Sequence, residues 1–149
     1  MLKKCLVSML FLVAASCQSS ELKVHSAYDA IWAASAAAPE MVPGIFELTV
    51  VETAYLRDAT YLNSESDYRD RRNLTIAIDP RILDGLKEKH GTYPDIFFLN
   101  RKIRVKGLAQ RVRIDFVIDL DDENEVRNKY YYQVHVAVVD VDQIEVVQD

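Results

Sequence analysis

The sequence predicts a mainly β fold: a five-stranded Greek-key barrel with a short helix between strands 3 and 4, preceded by one N-terminal helix. Three observations predict it. Hydrophobic residues recur with period two from Ile45 to Val147, broken by polar turns, one helical stretch and a loop that holds Pro94 and the apolar run Ile96 to Leu99. That stretch, around Ile82 to His90, follows three strands and precedes the last two. Gly107 sits inside the fourth strand, where a glycine usually marks the bulge or bend that a small barrel needs to close.

The chain opens with an address. Met1-Leu2-Lys3-Lys4 is a short basic start, Leu6 to Ala15 is an apolar stretch broken only by Ser8, and Ala15-Ser16-Cys17 ends it with small residues and a cysteine. These are the parts of a secretory signal. Its apolar core is far shorter than the roughly 20 residues that a bilayer-spanning helix requires. Residues 1–16 therefore read as a signal peptide, 17–25 as a tether, 26–44 as the N-terminal helix and linker, and 45–149 as the folded domain. Losing the two lysines Lys3 and Lys4 with the signal takes the formal charge from −5 to −7. That sign disfavours bulk attraction to phosphate backbones. Cys5 leaves with the signal and Cys17 is the only other cysteine, so the domain is expected to hold by core burial without an intrachain disulfide.

Ser26-Ala27-Tyr28-Asp29 places a capping residue three before an acid, ahead of the alanine-rich run Ala30 to Ala38 that Pro39 ends. This predicts a helix of about three turns. Tyr28, Ile31 and Trp32 fall on one face at i, i+3 and i+4 spacing, and the large apolar area of tryptophan favours a buried strut over a partner-binding stripe. Phe46, Leu48 and Val50 then alternate with Glu47, Thr49 and Val51 in a first strand that runs to Leu56, with a turn at Arg57-Asp58. Ala59 to Asn63 is the second strand, Ser64 to Arg72 a charged loop, and Asn73 to Ile78 the third strand, stopped at Asp79-Pro80. Ile82, Leu83 and Leu86 share one face of a short helix that Gly91 ends. Lys102 to Gly107, then Val112, Ile114, Phe116 and Ile118, resume period two up to the polar turn at residues 121–124, and Tyr131 to Val139 and Gln143 to Val147 supply the closing pieces. This order suits the oligonucleotide/oligosaccharide-binding (OB) barrel.

Particular segments carry a resemblance. Tyr61-Leu62-Asn63-Ser64-Glu65-Ser66-Asp67-Tyr68-Arg69-Asp70, followed by Asn73 to Ile78, resembles the FLNFG-x-DYR-x-x-FTV-x-I segment of small bacterial OB domains. Arg101 to Gly107 resembles their GKRVRVRG strand, and Asp142 to Val146 their closing PxQIEV, so the likeness spans about residues 45 to 147. Such domains occur in lipoproteins assigned to nucleic-acid binding and appended to nucleases of the thermonuclease family. The likeness implies an OB fold and a binding role. It departs from the pattern at Ser64 and in the long acidic excursion from Asp119 to Lys129, and it brings no counterpart of the nuclease acid and arginine motifs. Ala15-Ser16-Cys17 in turn resembles the bacterial lipobox, with Ala14 where leucine is preferred. That implies a diacylglycerol on the Cys17 thiol, a cut in front of Cys17 and, with Gln18 following, an outer-membrane lipoprotein facing the periplasm.

Two cationic sets draw attention. Arg57, Arg69, Arg71 and Arg72 gather around the loop after the second strand, and Lys102, Arg104 and Lys106 share one face of the fourth. With Tyr55, Tyr61 and Tyr68 as stacking surfaces they would make a groove for single-stranded nucleic acid or another polyanion. The blander reading, favoured by composition, pairs the arginines with Asp67 and Asp70 and leaves the lysines as a solvated face. Asp119 to Glu125 lacks the glycine and the closing glutamate of a calcium loop. His25, His90 and His135 are scattered, and no nucleophile elbow, P-loop or dinucleotide fingerprint occurs. The sequence thus points to a non-enzymatic, lipid-anchored binding or scaffolding domain with no metal, cofactor or catalytic residue. Its partners are the membrane, through Cys17, and an envelope protein or polymer, with nucleic acid second and a cation-dependent hydrolase third.

Overall fold

The computed structural model describes residues 22–56, 59–120 and 125–148, without the side chains of 118–120 and 125–127. Cys17, Arg57 and the polar turn at 121–124 lie outside the described residues. The protein is mainly β. Its elements run β1 (Val24–Ser26), α1 (Ala27–Ala37), β2 (Val42–Thr49), β3 (Glu52–Tyr55), β4 (Thr60–Asn63), β5 (Leu74–Ile78), α2 (Leu83–His90), α3 (Pro94–Phe97), β6 (Lys102–Leu120), β7 (Glu125–Val138) and β8 (Ile144–Val146).

The strands form one curled sheet in the order β1-β2-β6-β7-β5-β4-β3, with β8 also paired to β6. All neighbours are antiparallel except β1 with β2 and β5 with β7. Between β2 and β3 the chain changes partners. The Val50 amide donates to the Arg101 carbonyl at 2.9 Å, and the next amide, Val51, donates to the Asn63 carbonyl at 2.8 Å. The sheet therefore curls into a barrel-like, open half-barrel in which β3, at one end of the path, follows β2 directly in the chain.

Alternation decides what fills the curl. Phe46, Leu48 and Val50 join Leu62, Ile76, Ile103, Val105 and Val136 in one apolar core. One end is closed by Leu83, Leu86 and Phe98, from α2 and the turn after α3. α2 stops at Gly91, whose φ of 80° is left-handed and whose amide donates to the Lys87 carbonyl. α1 contributes Ala30 and Ala34, and its N-terminus is capped by the Ser26 hydroxyl, which accepts from the Asp29 amide.

Three expectations need correction. α1 does pack on the barrel, through Ala30, Ala34 and the half-buried Ile31, but Tyr28 and Trp32 are 68% and 71% exposed, because small residues let the helix approach closely and turn those two rings outward. Gly107 is no bulge. The β2–β6 register runs unbroken through a Gly44–Gly107 pair, and an added Cβ at Gly107 would come within 2.9 Å of Val136 Cγ1, so the glycine makes room for the core. Finally, β6 is one strand of 19 residues whose apolar row changes face partway along. Ile103, Val105 and Ala109 point into the core, whereas Val112, Ile114 and Phe116 have the other parity. The β6–β7 register carries no slip to compensate, so this second row lies on the opposite face of the ribbon.

Candidate ligand-binding cleft

Beyond Gln110 on β6 and before Val134 on β7, the two strands pair with each other and with no other described strand. They leave the barrel as a two-stranded arm. Isolated ribbons are marginal in water, and this one is reinforced by rings and guanidinium groups. On one face Arg111 lies 4.6 Å over the Tyr132 ring and Arg113 4.3 Å over Tyr130, and the two tyrosines meet edge to face at 5.7 Å. Arg113 also pairs with Asp115 at 2.6 Å. On the other face Phe116 and Tyr131 meet edge to face at 5.7 Å.

The loop between β4 and β5 is fixed at both ends and in the middle. Asn73 Nδ2 donates to Asn63 Oδ1 and to Thr75 Oγ1, both at 3.0 Å in a buried setting, while Asn73 Oδ1 accepts the Glu65 amide at 3.1 Å. At the far side, Gln133 Nε2 donates to the Tyr68 carbonyl at 2.7 Å, tying loop to arm. Behind Gln133, its Oε1 lies 2.7 Å from His135 Nε2. Burial holds that imidazole neutral, with its pKa pushed down to about 4.

Between α1, this loop and the arm lies a cleft of about 1540 Å³. Its charge is opposite to that of the chain. Arg69, Arg71, Arg72, Arg111 and Lys129 line it against Asp70 and Asp115, on a protein of formal charge −5. Asp70 is occupied by Arg72 at 2.8 Å, and that guanidinium holds the carboxyl down at about 2. Arg69 lies 5.1 Å over the Tyr68 ring and donates to its hydroxyl at 3.0 Å, which raises the guanidinium pKa further. Arg69, Arg71, Arg111 and Lys129 form no ion pair with a described residue.

The residues singled out in the sequence divide into two places. Arg69, Arg71, Arg72 and Tyr68 line the cleft. Lys102, Arg104 and Lys106 do not. Lys102 and Arg104 flank Glu47 on the outer face of β2 and β6, at 2.6 and 2.8 Å, and hold its carboxylate below the usual range. Lys106 is exposed and makes no ion pair with a described residue. Tyr61 stands on the outer face of β4 with its ring 6.1 Å from that of His135. Sequence reading missed Arg111, Lys129, Tyr130 and Tyr132 as cleft residues. The available signal was arginine and tyrosine at alternate positions, 111 and 113 against 130 and 132, which a hairpin centred on the polar turn brings opposite one another. Among the described residues no group of three or more His, Cys, Asp or Glu is placed to hold a metal ion. No family model matches this chain, and neither a curated protein nor a solved structure does.

Proposed function

We propose that this protein is a lipid-anchored, non-enzymatic binding domain of the bacterial cell envelope, built on an OB-type barrel, whose cleft holds an anionic polymer. One observation carries the reading: five cations and two carboxylates line the cleft of an acidic chain, and four of those cations have no carboxylate partner among the described residues. Unpaired guanidinium groups held against tyrosine rings keep their N–H edges outward, the arrangement that grips phosphate or carboxylate groups along a backbone. Support for the barrel type comes from strand order. Taking β2 and β3 as one bent strand, the succession is first, second, third, fifth, fourth and back to first, with the helix between third and fourth. Support for the anchor and for an outer-membrane address is the basic, apolar and small-residue succession that ends at Cys17.

Single-stranded nucleic acid is the second reading of the same surface, favoured by that strand order and by the tyrosines. Titration of the domain with polygalacturonate and with oligothymidylate at two salt concentrations tests both. Binding that weakens with salt is expected for the acidic glycan, with the slope reduced in an Arg71→Gln/Arg111→Gln variant. Tighter binding of oligothymidylate would put the second reading first, and no binding of either at low salt would end the polyanion proposal.

A further inference from the structure

The outward face of α1 forms one wall of the cleft, with Tyr28 and Trp32 facing the same opening as the arm. Ala30 and Ala34 are fully buried against the core and fix the helix, which leaves Tyr28 and Trp32 side by side, four residues apart, with most of their surface in solvent. The rings of Tyr68, Tyr130 and Tyr132 are each overlaid by a guanidinium, whereas those of Tyr28 and Trp32 have no ring or cation contact with a described residue. Two large exposed aromatics on a rigid helix mark a surface that something covers.

We propose that Tyr28 and Trp32 dock into the interfacial layer of the phospholipid bilayer and set the orientation of the domain on it. This rests on the reading that Cys17 is lipidated. If it is, the occupant follows from chain length. Leu22, the first described residue, is five residues beyond Cys17, so the anchor holds it within about 18 Å of the bilayer surface. β1 follows at Val24, and Tyr28 stands in the first turn of α1 immediately after it. The residue types fit that depth. Tryptophan and tyrosine place an apolar ring in the acyl boundary and their N–H or O–H among headgroups, and both concentrate at membrane interfaces. Arg71, Arg111 and Lys129 line the cleft alongside α1 and favour anionic headgroups. Asp29, the acid between them on the helix, is engaged by the Ser26 hydroxyl at 2.8 Å. A domain lying on this face opens its cationic cleft along the membrane surface, where an envelope polymer would be held close to the anchor.

Trp32 is the only tryptophan in the chain, so its fluorescence reports this face alone. The test uses the full chain as processed by the cell, reconstituted in vesicles of phosphatidylethanolamine and phosphatidylglycerol, beside a Cys17→Ser chain in buffer. The anchored protein is expected to show blue-shifted Trp32 emission, quenching by brominated lipid and several-fold less quenching by acrylamide; Tyr28→Ser should reduce that protection. Identical emission in both forms, with no effect of brominated lipid, would overturn the proposal. So would Trp32 responding to polygalacturonate or oligothymidylate and not to lipid, which would assign the face to the cleft ligand. Mass spectrometry of the same sample reads Cys17 acylation separately. If Cys17 is bare, an N-terminal histidine tag on nickel-chelating vesicles replaces the tether, and the same two Trp32 results decide.

Discussion

β6 and β7 are each two different strands joined end to end. In the barrel half, Ile103, Val105, Ala109, Val134, Val136 and Val138 are buried among aliphatic neighbours, and every strand has partners on both sides or a covering element. In the arm half, Phe116, Val117, Tyr130 and Tyr132 are between 39% and 61% exposed, and the strands pair only with each other. One continuous backbone thus serves two purposes, and the boundary is marked by the apolar row changing face after Ala109. The barrel half spends its hydrophobicity on stability. The arm half keeps its aromatic and cationic groups available to a ligand.

The largest effect that would break this contrast comes from truncation in the barrel. Ile76→Ala removes a fully buried side chain from the core and should cost about 2–5 kcal/mol in denaturant unfolding, whereas Tyr132→Ala on the arm should cost about 0.5–1 kcal/mol. Equal losses would mean that the arm is part of the cooperative core. Next comes Gly107→Val. Since even a Cβ there would meet Val136 Cγ1 at 2.9 Å, overpacking should cost about 1–3 kcal/mol, and an unchanged denaturation midpoint would show that the two halves tolerate crowding alike.

His135 sharpens the boundary itself, because it stands where barrel passes into arm. Its folded pKa of about 4 lies below the ordinary 6.5, so the unfolded chain binds its proton more readily between those values. Stability from this group is full above about pH 6.5 and is lost as pH falls towards about 4, by roughly 3 kcal/mol. The windows of Asp70 and Asp79, held at about 2 by Arg72 and Arg81 against an ordinary 3.8, open from about pH 5 downwards. Unfolding measured from about pH 7 to 5 should therefore depend less steeply on pH in His135→Gln, the remaining slope belonging to His90, whose pKa burial also lowers. A slope unchanged in the variant would place the titration elsewhere.

Much of the fold was legible because it is written locally. Ser26 and Asp29 cap α1, Gly91 ends α2, and alternation from Phe46 to Val50 gives the inner face of β2. What was not legible depends on partners distant in sequence. Glu47 holds Lys102 and Arg104, 55 and 57 residues away, and so separates two cationic sets that look alike in the sequence. Hydrophobic spacing placed Tyr28 and Trp32 on one face of α1, yet could not say that alanines on the other face would take the core. Alternation alone puts Tyr131 on the face opposite Tyr130 and Tyr132, but that Arg111 and Arg113 lie over those two rings depends on the register between β6 and β7.

The smallest expected stability change belongs to the residues that matter most for binding. Arg71→Gln should alter unfolding by no more than about 0.5 kcal/mol, as an exposed group outside the core does, and Arg111→Gln, which gives up its contact over the Tyr132 ring, by about 0.5–1 kcal/mol. A larger loss would assign those arginines to holding the loop and arm together.

The division between a stabilising barrel and a binding arm is tested most directly by mapping amide chemical shifts of the isotope-labelled domain during titration with polygalacturonate at low salt. The predicted shifts fall in the loop at 64–73 and in the arm at 111–117 and 128–133, leave β2, β4 and β5 unmoved, and vanish at high salt. Shifts centred instead on Lys102, Arg104 and Lys106 across the outer face of β2 and β6, or spread evenly through the barrel, would contradict it.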